Sequence, residues 1–287
     1  MVQKVLKSKK LLIIGGSGFV GSSLKEYVRD KNTKISSIIS YSRSEGKNFL
    51  QVKKLPKFDY LIYCINNKNK NQSAKLFLHF EKLLNKHSKK VKILFFSSGA
   101  VYGPRDKIKK FKESDKLSDK SIEKFTGYKK NYAKEKYLLE KEFKKIAKDG
   151  FKISIARGFT FYGKHILNYD YLISKIILAV KSKKIIKIYN PNLKRSYMHA
   201  DDMCRWLIRI LNISSNKCPV VNVGSDKMIN LSKFINYLNK KFNSKIQIVK
   251  NASKKIDFYI PSTNFAKKYL KLKNTVNFNN AITLLIK

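Results

Sequence analysis

The sequence predicts an α/β protein with a doubly wound parallel sheet and a smaller C-terminal lobe. Three observations support this prediction. Short β-rich runs alternate with longer helix-like segments, as in parallel strands joined by crossover helices. The first strand ends in closely spaced glycines, and the alternation becomes irregular after residue 163. We therefore expect one domain over residues 1–163 and a smaller lobe over residues 164–287.

The apolar pattern indicates six strands and six helices. The strands are expected at residues 11–15, 35–41, 58–65, 91–97, 151–156 and 220–223. The helices are expected at residues 18–30, 73–88, 131–149, 169–181, 201–213 and 231–242. The segment 44–57 is short and polar, so the unit between the second and third strands is trimmed. The strand at 220–223 is expected to return from the smaller lobe to the main sheet.

Composition narrows the class of protein. A chain of 287 residues that is 43% apolar can bury a full core. No run approaches the roughly 18 apolar residues of a membrane span, and the basic residues 1–10 lead into the first strand without the separate apolar region of a signal peptide. The three cysteines and four histidines show no paired or metal-like spacing. We expect a cytoplasmic protein with no membrane segment and no metal site.

The formal net charge of +44 raises the question of nucleic-acid binding. Only seven of the 63 basic residues are arginines, and the 56 lysines are spread over the whole chain. Nucleic-acid surfaces concentrate charge on one face and favour arginine for bidentate contacts. The lysine excess accompanies abundant Ile and Asn, as compositional drift of a genome would produce. We expect no specific nucleic-acid partner, although polyanions should bind non-specifically at low salt.

The most informative motif follows the first strand. Leu11–Ile14 runs into glycines with the spacing G-x-x-G-x-x-G, and an amphipathic segment follows at once. Glycines there let the backbone turn sharply and approach a pyrophosphate, whose charge then lies at a helix N-terminus. The motif predicts a Rossmann-like dinucleotide site. Its expected cofactor contacts are Gly15, Ser17, Gly18, Phe19, Val20 and Gly21.

Two further segments carry residues suited to chemistry. One buried strand ends in Ser97 and Ser98, and strand C-termini in a doubly wound sheet face the ligand crevice. Tyr132 and Lys136 lie one helical turn apart on a shared face. The Tyr-x-x-x-Lys spacing alone is not specific, since it occurs six times. Position is more informative, because only Tyr132 and Tyr137 lie in the helix between the Ser97-Ser98 strand and the next strand.

Seven motifs occur in order along nearly the whole chain: GGSGFVG, FDYLIY, FFSSGAVYG, YAKEKYLLE, ARGFTFYG, KRSYMHADD and VNVGS. By these motifs the chain resembles the extended short-chain dehydrogenases/reductases of the NAD-dependent epimerase/dehydratase group, which act on nucleotide-sugars. The resemblance implies a Rossmann-like sheet with a smaller C-terminal substrate-binding lobe. It is more specific for the fold and the cofactor class than for the reaction.

The resemblance also indicates the catalytic residues. It implies an acid four residues after the lysine, and Glu140 has this spacing in the Tyr132 motif. Tyr137 has Lys145 at the corresponding place, so Tyr132 is favoured. The family's catalytic serine or threonine precedes the tyrosine of VYG by four residues, which here is Ser98.

These residues predict a redox site with one acid–base group. A tyrosine has a pKa near ~10, but the Lys136 cation favours the phenolate, and the Ser98 hydroxyl can hydrogen-bond the reacting oxygen. Tyr132 would take a proton from a sugar hydroxyl while hydride passes to a nicotinamide, or return the proton in the reverse direction. The resemblance further implies that Lys136 holds the nicotinamide ribose.

NADP is the expected cofactor, with NAD as the alternative. After the second strand, an acid suits the ribose hydroxyls of NAD, whereas an arginine suits the 2′-phosphate of NADP. The chain offers Ser42 and Arg43 there, with no acid before Glu45. Ile65 and Asn66 follow the third strand, where relatives carry Ala or Gly, and we expect them to contact the cofactor.

The resemblance implies a nucleotide-sugar substrate. In the KRSYMHADD segment it assigns Arg195 to the substrate diphosphate, a role that suits a planar guanidinium. Thr160 stands where many relatives carry asparagine, and we expect it to contact the substrate. Asp201 or Asp202 is expected to cap the following helix, and His199 is expected to be a packed side chain.

Departures from the family pattern narrow the reaction. Family dehydratases carry Asp-Glu directly after the catalytic Ser or Thr, where this chain has Gly99 and Ala100. Water elimination by such a pair is therefore not expected. A single acid–base group fits two reactions: net reduction of a 4-keto nucleotide-sugar by NADPH, and C4 epimerisation with retained NAD. Arg43 favours the reductase, and the family suggests a role in polysaccharide biosynthesis.

Functions of other classes stay open. A non-catalytic NADP-sensing protein would need the glycine motif but not Ser98, Tyr132 and Lys136, which are all present. A nucleic-acid-binding protein on a borrowed fold would bind RNA or DNA at physiological salt. Formation of a homodimer through the helix that carries Tyr132 is common in such folds and is a further open alternative.

Overall fold

The computed structural model describes residues 8–31, 33–66, 70–105, 107–168, 171–189, 193–249 and 257–287. The chain divides into two compact units that alternate along the sequence. The sheet unit comprises Met1–Ser98, Gly127–Arg157 and Leu207–Val221. The second unit comprises Gly99–Thr126, Gly158–Trp206 and Asn222–Lys287.

The strands and helices of the described ranges are numbered in chain order. The strands are β1 (Lys9–Ile14), β2 (Ile35–Tyr41), β3 (Tyr60–Tyr63), β4 (Lys92–Ser98), β5 (Lys152–Gly158), β6 (Phe161–Tyr162), β7 (Ile186–Ile188), β8 (Leu193–Arg195), β9 (Met198–His199), β10 (Val220–Val223), β11 (Ile246–Ile248) and β12 (Asp257–Tyr259). The α-helices are α1 (Phe19–Asp30), α2 (Lys70–Leu84), α3 (Asp119–Glu123), α4 (Gly127–Lys148), α5 (Leu172–Lys181), α6 (Ala200–Asn212), α7 (Leu231–Phe242), α8 (Asn264–Leu270) and α9 (Phe278–Ile286).

A six-stranded sheet with the order β10-β5-β4-β3-β1-β2 forms the centre of the sheet unit. Strand β1 pairs in parallel with β2 on one side and β3 on the other, and β3 pairs in parallel with β4. The last residue of β1, Ile14, therefore lies beside Tyr41 and Tyr63. Since parallel strands end at the same edge, the segments that follow these strands are neighbours at the edge where such sheets bind ligands.

Aromatic side chains hold α2 and α4 against the sheet. The ring of Phe143 on α4 stacks on Phe95 of β4 with ring centroids 4.5 Å apart. It also meets Phe77 of α2 at 5.4 Å and Tyr63 of β3 at 5.4 Å. These rings belong to one buried apolar cluster that joins α4 to β3 and β4.

The buried side of α4 is unusual because it contains charged residues. Ala133, Leu139 and Phe143 are buried at helical spacing, as expected for a helix packed on a sheet. Lys136 and Glu140 are buried along the same stripe. Charged side chains are rarely buried without a partner. We therefore expect this side of α4 to form specific polar contacts in addition to apolar packing.

The second unit contains three small parallel sheets, each of two strands. They pair β7 with β11, β8 with β12, and β6 with β9. Its apolar core gathers side chains from α5, α7 and α9, including Ile176, Leu238 and Ile282, all of which are fully buried. This core is separate from the apolar cluster of the sheet unit.

The predicted α/β fold is confirmed, including the six strands of the main sheet and the return of 220–223 to its edge as β10. The chain leaves the sheet unit directly after β4 and again within β5, while the boundary after residue 163 between a cofactor-binding domain and a substrate-binding lobe stays a prediction. Residues 99–126 thus belong to the second unit, whereas 207–221 belong to the sheet unit. The sequence does not indicate the strands of two or three residues, since so few positions carry no periodicity.

No helix in the described ranges is long and apolar enough to span a bilayer. The three cysteines are buried and form no disulfide. The described residues also contain no cluster of three or more His, Cys, Asp or Glu side chains that could hold a metal ion.

Candidate active site

The turn between β1 and α1 depends on glycine. Gly15 has a φ of +106°, and a Cβ there would lie 2.9 Å from the backbone of Cys64 and Ile65. A Cβ at Gly21 would lie 2.6 Å from the carbonyl oxygen of Gly15 and from the Cα of Gly16. Glycine at position 15 therefore lets the loop between β1 and α1 approach the segment that follows β3. Glycine at position 21 lets the beginning of α1 pack against the same loop.

The N-terminus of α1 fits an anionic group. Gly18 precedes the helix and provides no capping side chain, and the first turn contains no acidic residue. A helix N-terminus in this condition favours a phosphate through its amides and its dipole. Phe19 and Val20 are buried in the first turn, and the carbonyl of Ser17 accepts a hydrogen bond from Ser22. The expected glycine-turn contacts are thus together in a cradle that fits a pyrophosphate.

The segment after β2 contains Arg43 and the carboxylate of Glu45, which is paired with a lysine. Arg43 begins a 3-10 turn that ends at Glu45. The Glu45 carboxylate forms an ion pair with Lys25 of α1 and accepts a 3.1 Å hydrogen bond from Ser40. The bond from Lys25 lowers the pKa of Glu45, aided by serine hydroxyls. The Arg43 side chain is exposed, while Ser42 is buried just before it.

The segment after β3 is joined to α4. The Lys136 ammonium donates a 2.8 Å hydrogen bond to the carbonyl of Ile65. Asn66 hydrogen-bonds the hydroxyl of Tyr128 in the first turn of α4, and this contact opposes the rise that burial causes in the pKa of Tyr128. Residues 65 and 66, predicted from the sequence as cofactor contacts, therefore lie beside α4, and Ile65 also lies beside the glycine turn.

Tyr132 and Lys136 share the sheet-facing side of α4. The Lys136 ammonium lies 5.8 Å from the ring centre of Tyr132 and 5.4 Å from that of Phe95 on β4. Burial lowers the pKa of Lys136, and the neighbouring Glu135 opposes that change. Ser98 is buried at the end of β4, three residues beyond Phe95. The arrangement brings a cation next to a phenol at the ligand-facing edge of the sheet.

Tyr128 extends this surface. Its ring stacks on that of Tyr132 with centroids 6.0 Å apart and an interplanar angle of 21°. About half of Tyr128 is exposed. The sequence does not assign it a role, because Tyr128 lacks a lysine four residues later. The signal that could have found it is its spacing of four residues from Tyr132, which places both rings on one helix face.

Ser97, the first of the two serines at the end of β4, bonds a buried carboxylate. Its hydroxyl donates a 2.7 Å hydrogen bond to Oε1 of Glu140. Arg157 of β5 donates from Nε to Oε1 at 2.9 Å and from an Nη to Oε2 at 2.7 Å. All three side chains are at most 3% exposed. Ser97 is therefore a structural partner of a buried ion pair, and Ser98 is the serine that the sequence assigns to chemistry.

The second unit places Arg195 at the end of β8. Its guanidinium donates to the Asp257 carboxylate at 2.6 Å and to the Asp257 carbonyl at 2.7 Å. It also lies 5.6 Å from the ring centre of Tyr259. The sequence favours a substrate role for Arg195 over a structural ion pair, yet the structure shows an ion pair with a partly exposed acid. Asp257 was not expected from the sequence, because nothing in its local pattern distinguishes it.

The remaining predicted residues of the second unit are also engaged. The Thr160 hydroxyl donates to the carbonyl of Ser196. His199, not an aspartate, caps α6, since its Nδ1 accepts the amide of Asp201 at 3.1 Å. The expected capping role of Asp201 or Asp202 is therefore wrong. The Asp202 carboxylate instead accepts the amides of Thr275 and Val276, which fixes the segment before α9.

An aromatic ring fills the space beside Gly99. A Cβ at this position would lie 2.6 Å from the Phe159 ring. Phe159 in turn packs on Tyr259 with ring centroids 4.7 Å apart. The sequence shows that Gly99 and Ala100 replace the acids of family dehydratases, and the structure adds that no side chain fits at position 99 without movement of this ring.

The fold and the glycine turn define a dinucleotide-binding α/β protein. The sequence model of the NAD dependent epimerase/dehydratase family matches residues 11–224. The chain therefore belongs to this family. No curated protein matches the sequence significantly.

Several solved structures resemble the chain over almost its full length. RMD from Pseudomonas aeruginosa, complexed with NADPH, is 17% identical, with a TM-score of 0.75 over 97% of this chain and 98% of that chain. UDP-glucose 4-epimerase from Thermotoga maritima, with UDP-glucose, is 16% identical, with a TM-score of 0.77 over 96% and 97%. dTDP-glucose 4,6-dehydratase from Bacillus anthracis, in complex with NAD, is 15% identical, with a TM-score of 0.75 over 97% and 96%. At these identities the similarity shows the fold alone.

The glycine turn generates a first prediction. Replacement of Gly15 by Ala should lower the free energy of unfolding by about 2–4 kcal/mol, because the new Cβ meets backbone atoms of Cys64 and Ile65 and the φ is unfavourable. Gly46→Ala is the matched control, since Gly46 has a φ of +69° with nothing within 4 Å of its Cβ position, and should cost about 1 kcal/mol. Urea unfolding measures both, and equal losses would contradict the close-approach argument.

The cap of α6 generates a second prediction. Burial lowers the pKa of His199, and its Nδ1 must be unprotonated to accept the Asp201 amide. The unfolded chain therefore binds a proton more readily, so stability is lost as pH falls below the ordinary histidine value of about 6.5. His199→Asn keeps a capping acceptor that does not titrate.

Urea unfolding at pH 7.5 and 5.5 measures the effect. The wild type should lose about 1 kcal/mol more than His199→Asn over this interval. The two proteins should differ little at pH 7.5, and the other three histidines contribute equally to both. Identical losses in the two proteins would show that His199 is not the titrating cap.

Proposed function

We propose that the protein is an NADPH-dependent reductase of a 4-keto nucleotide-sugar. The observation that carries the proposal is the placement of Lys136 beside Tyr132 at the edge of the sheet, with no acid at position 99 to assist elimination. A single acid–base group suits the addition of one hydride and one proton to a carbonyl. It does not supply the second group that removal of water would require.

The chemistry divides between cofactor and protein. Bound NADPH supplies the hydride that adds to the carbonyl carbon of the sugar. The Tyr132 phenol gives its proton to the carbonyl oxygen as the C–O π bond becomes a C–O single bond, and the Ser98 hydroxyl donates a hydrogen bond to the same oxygen. The Lys136 ammonium, 5.8 Å from the Tyr132 ring centre, stabilises the phenolate that remains. Solvent then returns the proton to Tyr132.

Lys136 is well suited to this role because it is held in place. Its bond to the Ile65 carbonyl fixes the ammonium close to Tyr132. Burial removes water from around the cation, which strengthens its effect on a neighbouring phenolate. The ammonium also has donors left for the nicotinamide ribose, since a lysine has three N–H groups.

Arg43 supports NADPH as the cofactor. Its exposed guanidinium begins the turn after β2, the position that faces the adenosine ribose in this class of fold. The acid of this turn, Glu45, is neutralised by Lys25. The local charge is thus positive, which favours a 2′-phosphate over a bare ribose.

Arg195 and Thr160 support a substrate that carries a diphosphate. The guanidinium of Arg195 is preorganised by Asp257 and Tyr259. A diphosphate would suit the same guanidinium as an acceptor, because phosphate oxygens match the guanidinium fork. Thr160 contributes a hydroxyl for a sugar or phosphate oxygen.

The second candidate is a C4 epimerase that retains NAD. It uses the same acid–base group, taking a proton and returning it. The observation that favours it is the Glu45 carboxylate, whose Oε2 lies 3.5 Å from the Cβ position of Gly16. A carboxylate beside the glycine turn can accept hydrogen bonds from the ribose hydroxyls of NAD.

Cofactor analysis of the purified protein tests the two candidates. NADPH and NADH are titrated by fluorescence after any retained cofactor has been released and identified. A site that is empty on purification and prefers NADPH supports the reductase, and 4-keto nucleotide-sugars are then screened as substrates. Tightly retained NAD would support the epimerase instead. Failure to bind either dinucleotide would contradict both.

A third prediction concerns the acid–base group. Tyr132→Phe removes the proton donor and should lower kcat for the 4-keto substrate by about 10²–10⁴-fold, while NADPH affinity changes little. Tyr137→Phe is the matched control, since Tyr137 lies in the same helix and also has a lysine four residues later. Single-turnover oxidation of NADPH measures the rate. Equal activity of the two variants would assign the chemistry to another residue.

A fourth prediction concerns the cofactor. Arg43→Ala should weaken NADPH binding about tenfold, the loss of one charge-assisted contact to a phosphate, and leave NADH binding within about twofold. Lys75→Ala, on the exposed face of α2, removes the same charge elsewhere and controls for the long-range effect of net charge. An equal fall in affinity for NADPH and NADH in Arg43→Ala would contradict a contact between Arg43 and the 2′-phosphate.

A further inference from the structure

We propose that Ser97, Glu140 and Arg157 form a buried clamp that positions the helix carrying Tyr132 and Lys136 against the strand that ends in Ser98. The three residues come from three elements of the sheet unit, namely β4, α4 and β5. They act through other residues and do not touch the reacting atoms. The inference rests on the proposed function in one respect, namely that Tyr132 and Ser98 act on the same oxygen.

Three hydrogen bonds join the members of the clamp. Both carboxylate oxygens of Glu140 accept bonds from the Arg157 guanidinium, and Oε1 also accepts the Ser97 hydroxyl. The exposed fraction is 1% for Ser97, 1% for Glu140 and 3% for Arg157. A guanidinium fork paired with a carboxylate has a preferred plane and direction. The bonds therefore restrict both the rotation of α4 about its axis and its movement along β4.

The clamp lies next to each residue of the proposed site. Ser97 is covalently adjacent to Ser98. Glu140 follows Lys136 by one helical turn and Tyr132 by two, so all three project from one side of α4. Displacement of Glu140 therefore carries Lys136 and Tyr132 with it. The clamp thus links the serine of one element to the tyrosine and lysine of another.

Packing alone does not account for these three residues. The stacking of Phe143 on Phe95 already joins α4 to β4. A buried ion pair is often no more stabilising than apolar side chains of the same volume. Apolar packing tolerates small sliding movements of a helix. The ion pair of Glu140 with Arg157, with Ser97 as a third partner, permits only one position of α4. The ion pair therefore contributes to the position of α4 on β4 rather than to the stability of the fold.

A matched pair of serine variants tests the clamp. Ser97→Ala removes one bond and leaves the buried charges paired. Ser154→Ala is the control, since Ser154 is also fully buried, lies on β5 and bonds the Ser214 hydroxyl at 2.8 Å. Both variants lose one buried serine bond from the same sheet. Ser97→Cys, which keeps a weak donor at position 97, serves as the conservative variant.

Two measurements are made on the full-length protein with NADPH bound. The titration of Tyr132 is followed by NMR of ¹³Cζ-labelled tyrosine, with its signal assigned from Tyr132→Phe. Hydrogen exchange of the α4 amides over residues 128–140 is followed by mass spectrometry. The first measurement reports the surroundings of the phenol, and the second reports the movement of the helix without depending on any reaction.

Ser97→Ala should decrease the acid dissociation constant of Tyr132 by about threefold to tenfold, because a helix released from β4 would no longer hold the Lys136 ammonium, bonded to the Ile65 carbonyl, in its place beside the phenolate. It should also speed amide exchange around Tyr132 and Lys136 several-fold. Ser154→Ala should change neither, and Ser97→Cys should lie between Ser97→Ala and the wild type. Equal effects of Ser97→Ala and Ser154→Ala on both measurements would overturn the clamp.

The same measurements distinguish an error in the proposed role of Tyr132 from an error in the clamp. An ordinary pKa for Tyr132 in the wild type, near ~10, would argue against Tyr132 as the acid–base group. Faster α4 exchange in Ser97→Ala alone would then still support the clamp. If Ser97→Ala does not fold, the comparison of Ser97→Cys with the wild type decides, and unchanged titration and exchange in Ser97→Cys would overturn the proposal.

Discussion

The contact between the glycine turn and the end of β3 is the constraint on which the candidate site depends. With a Cβ at Gly15 the turn could not touch Cys64 and Ile65, and the phosphate cradle would separate from the sheet edge. The same Ile65 receives the Lys136 ammonium through its carbonyl oxygen. One backbone segment thus joins the cradle to α4. The proposed cofactor cradle and the proposed acid–base pair are therefore joined through a segment of a few residues, although they come from distant parts of the sequence.

Acidic residues are scarce in this chain, with 19 against 63 basic residues, and several are found where they hold one element to another. Glu140 joins α4 to two strands, and Asp202 holds the segment before α9. Asp257 holds Arg195, and Glu45 joins the segment after β2 to α1. In a strongly basic protein, an unpaired cation is common on the surface, so an acid is the more informative residue. The positions of the acidic residues therefore indicate where helices, strands and loops are held together better than the positions of the lysines do.

The sequence predicts the main sheet and the residues around its ligand edge because these follow regular rules. Apolar runs, glycine spacing and a Tyr-x-x-x-Lys pair on one helix face all have local signatures. The partners of the charged residues could not be predicted in the same way. Nothing near Arg157 shows that Glu140 is its acceptor, and nothing near Asp257 indicates Arg195, since these pairs form only after folding. A lone arginine in the apolar strand FKISIARG does, however, imply some buried acid. The capping of α6 by His199 was missed because aspartate is the commoner cap.

The Phe159 ring beside Gly99 bears on how reactions diverge within this family. A reductase and a dehydratase can share a sheet, a cofactor cradle and a tyrosine–lysine pair, and then differ only in the acid that assists elimination. In this chain the space for a new carboxylate is already filled by an aromatic ring, which is itself packed on Tyr259. Any evolutionary or engineered route to elimination chemistry must therefore pass through a repacked aromatic cluster before an acid at position 99 becomes useful. The Phe159 ring thus opposes a side chain at position 99 by steric exclusion, whatever reaction the site performs.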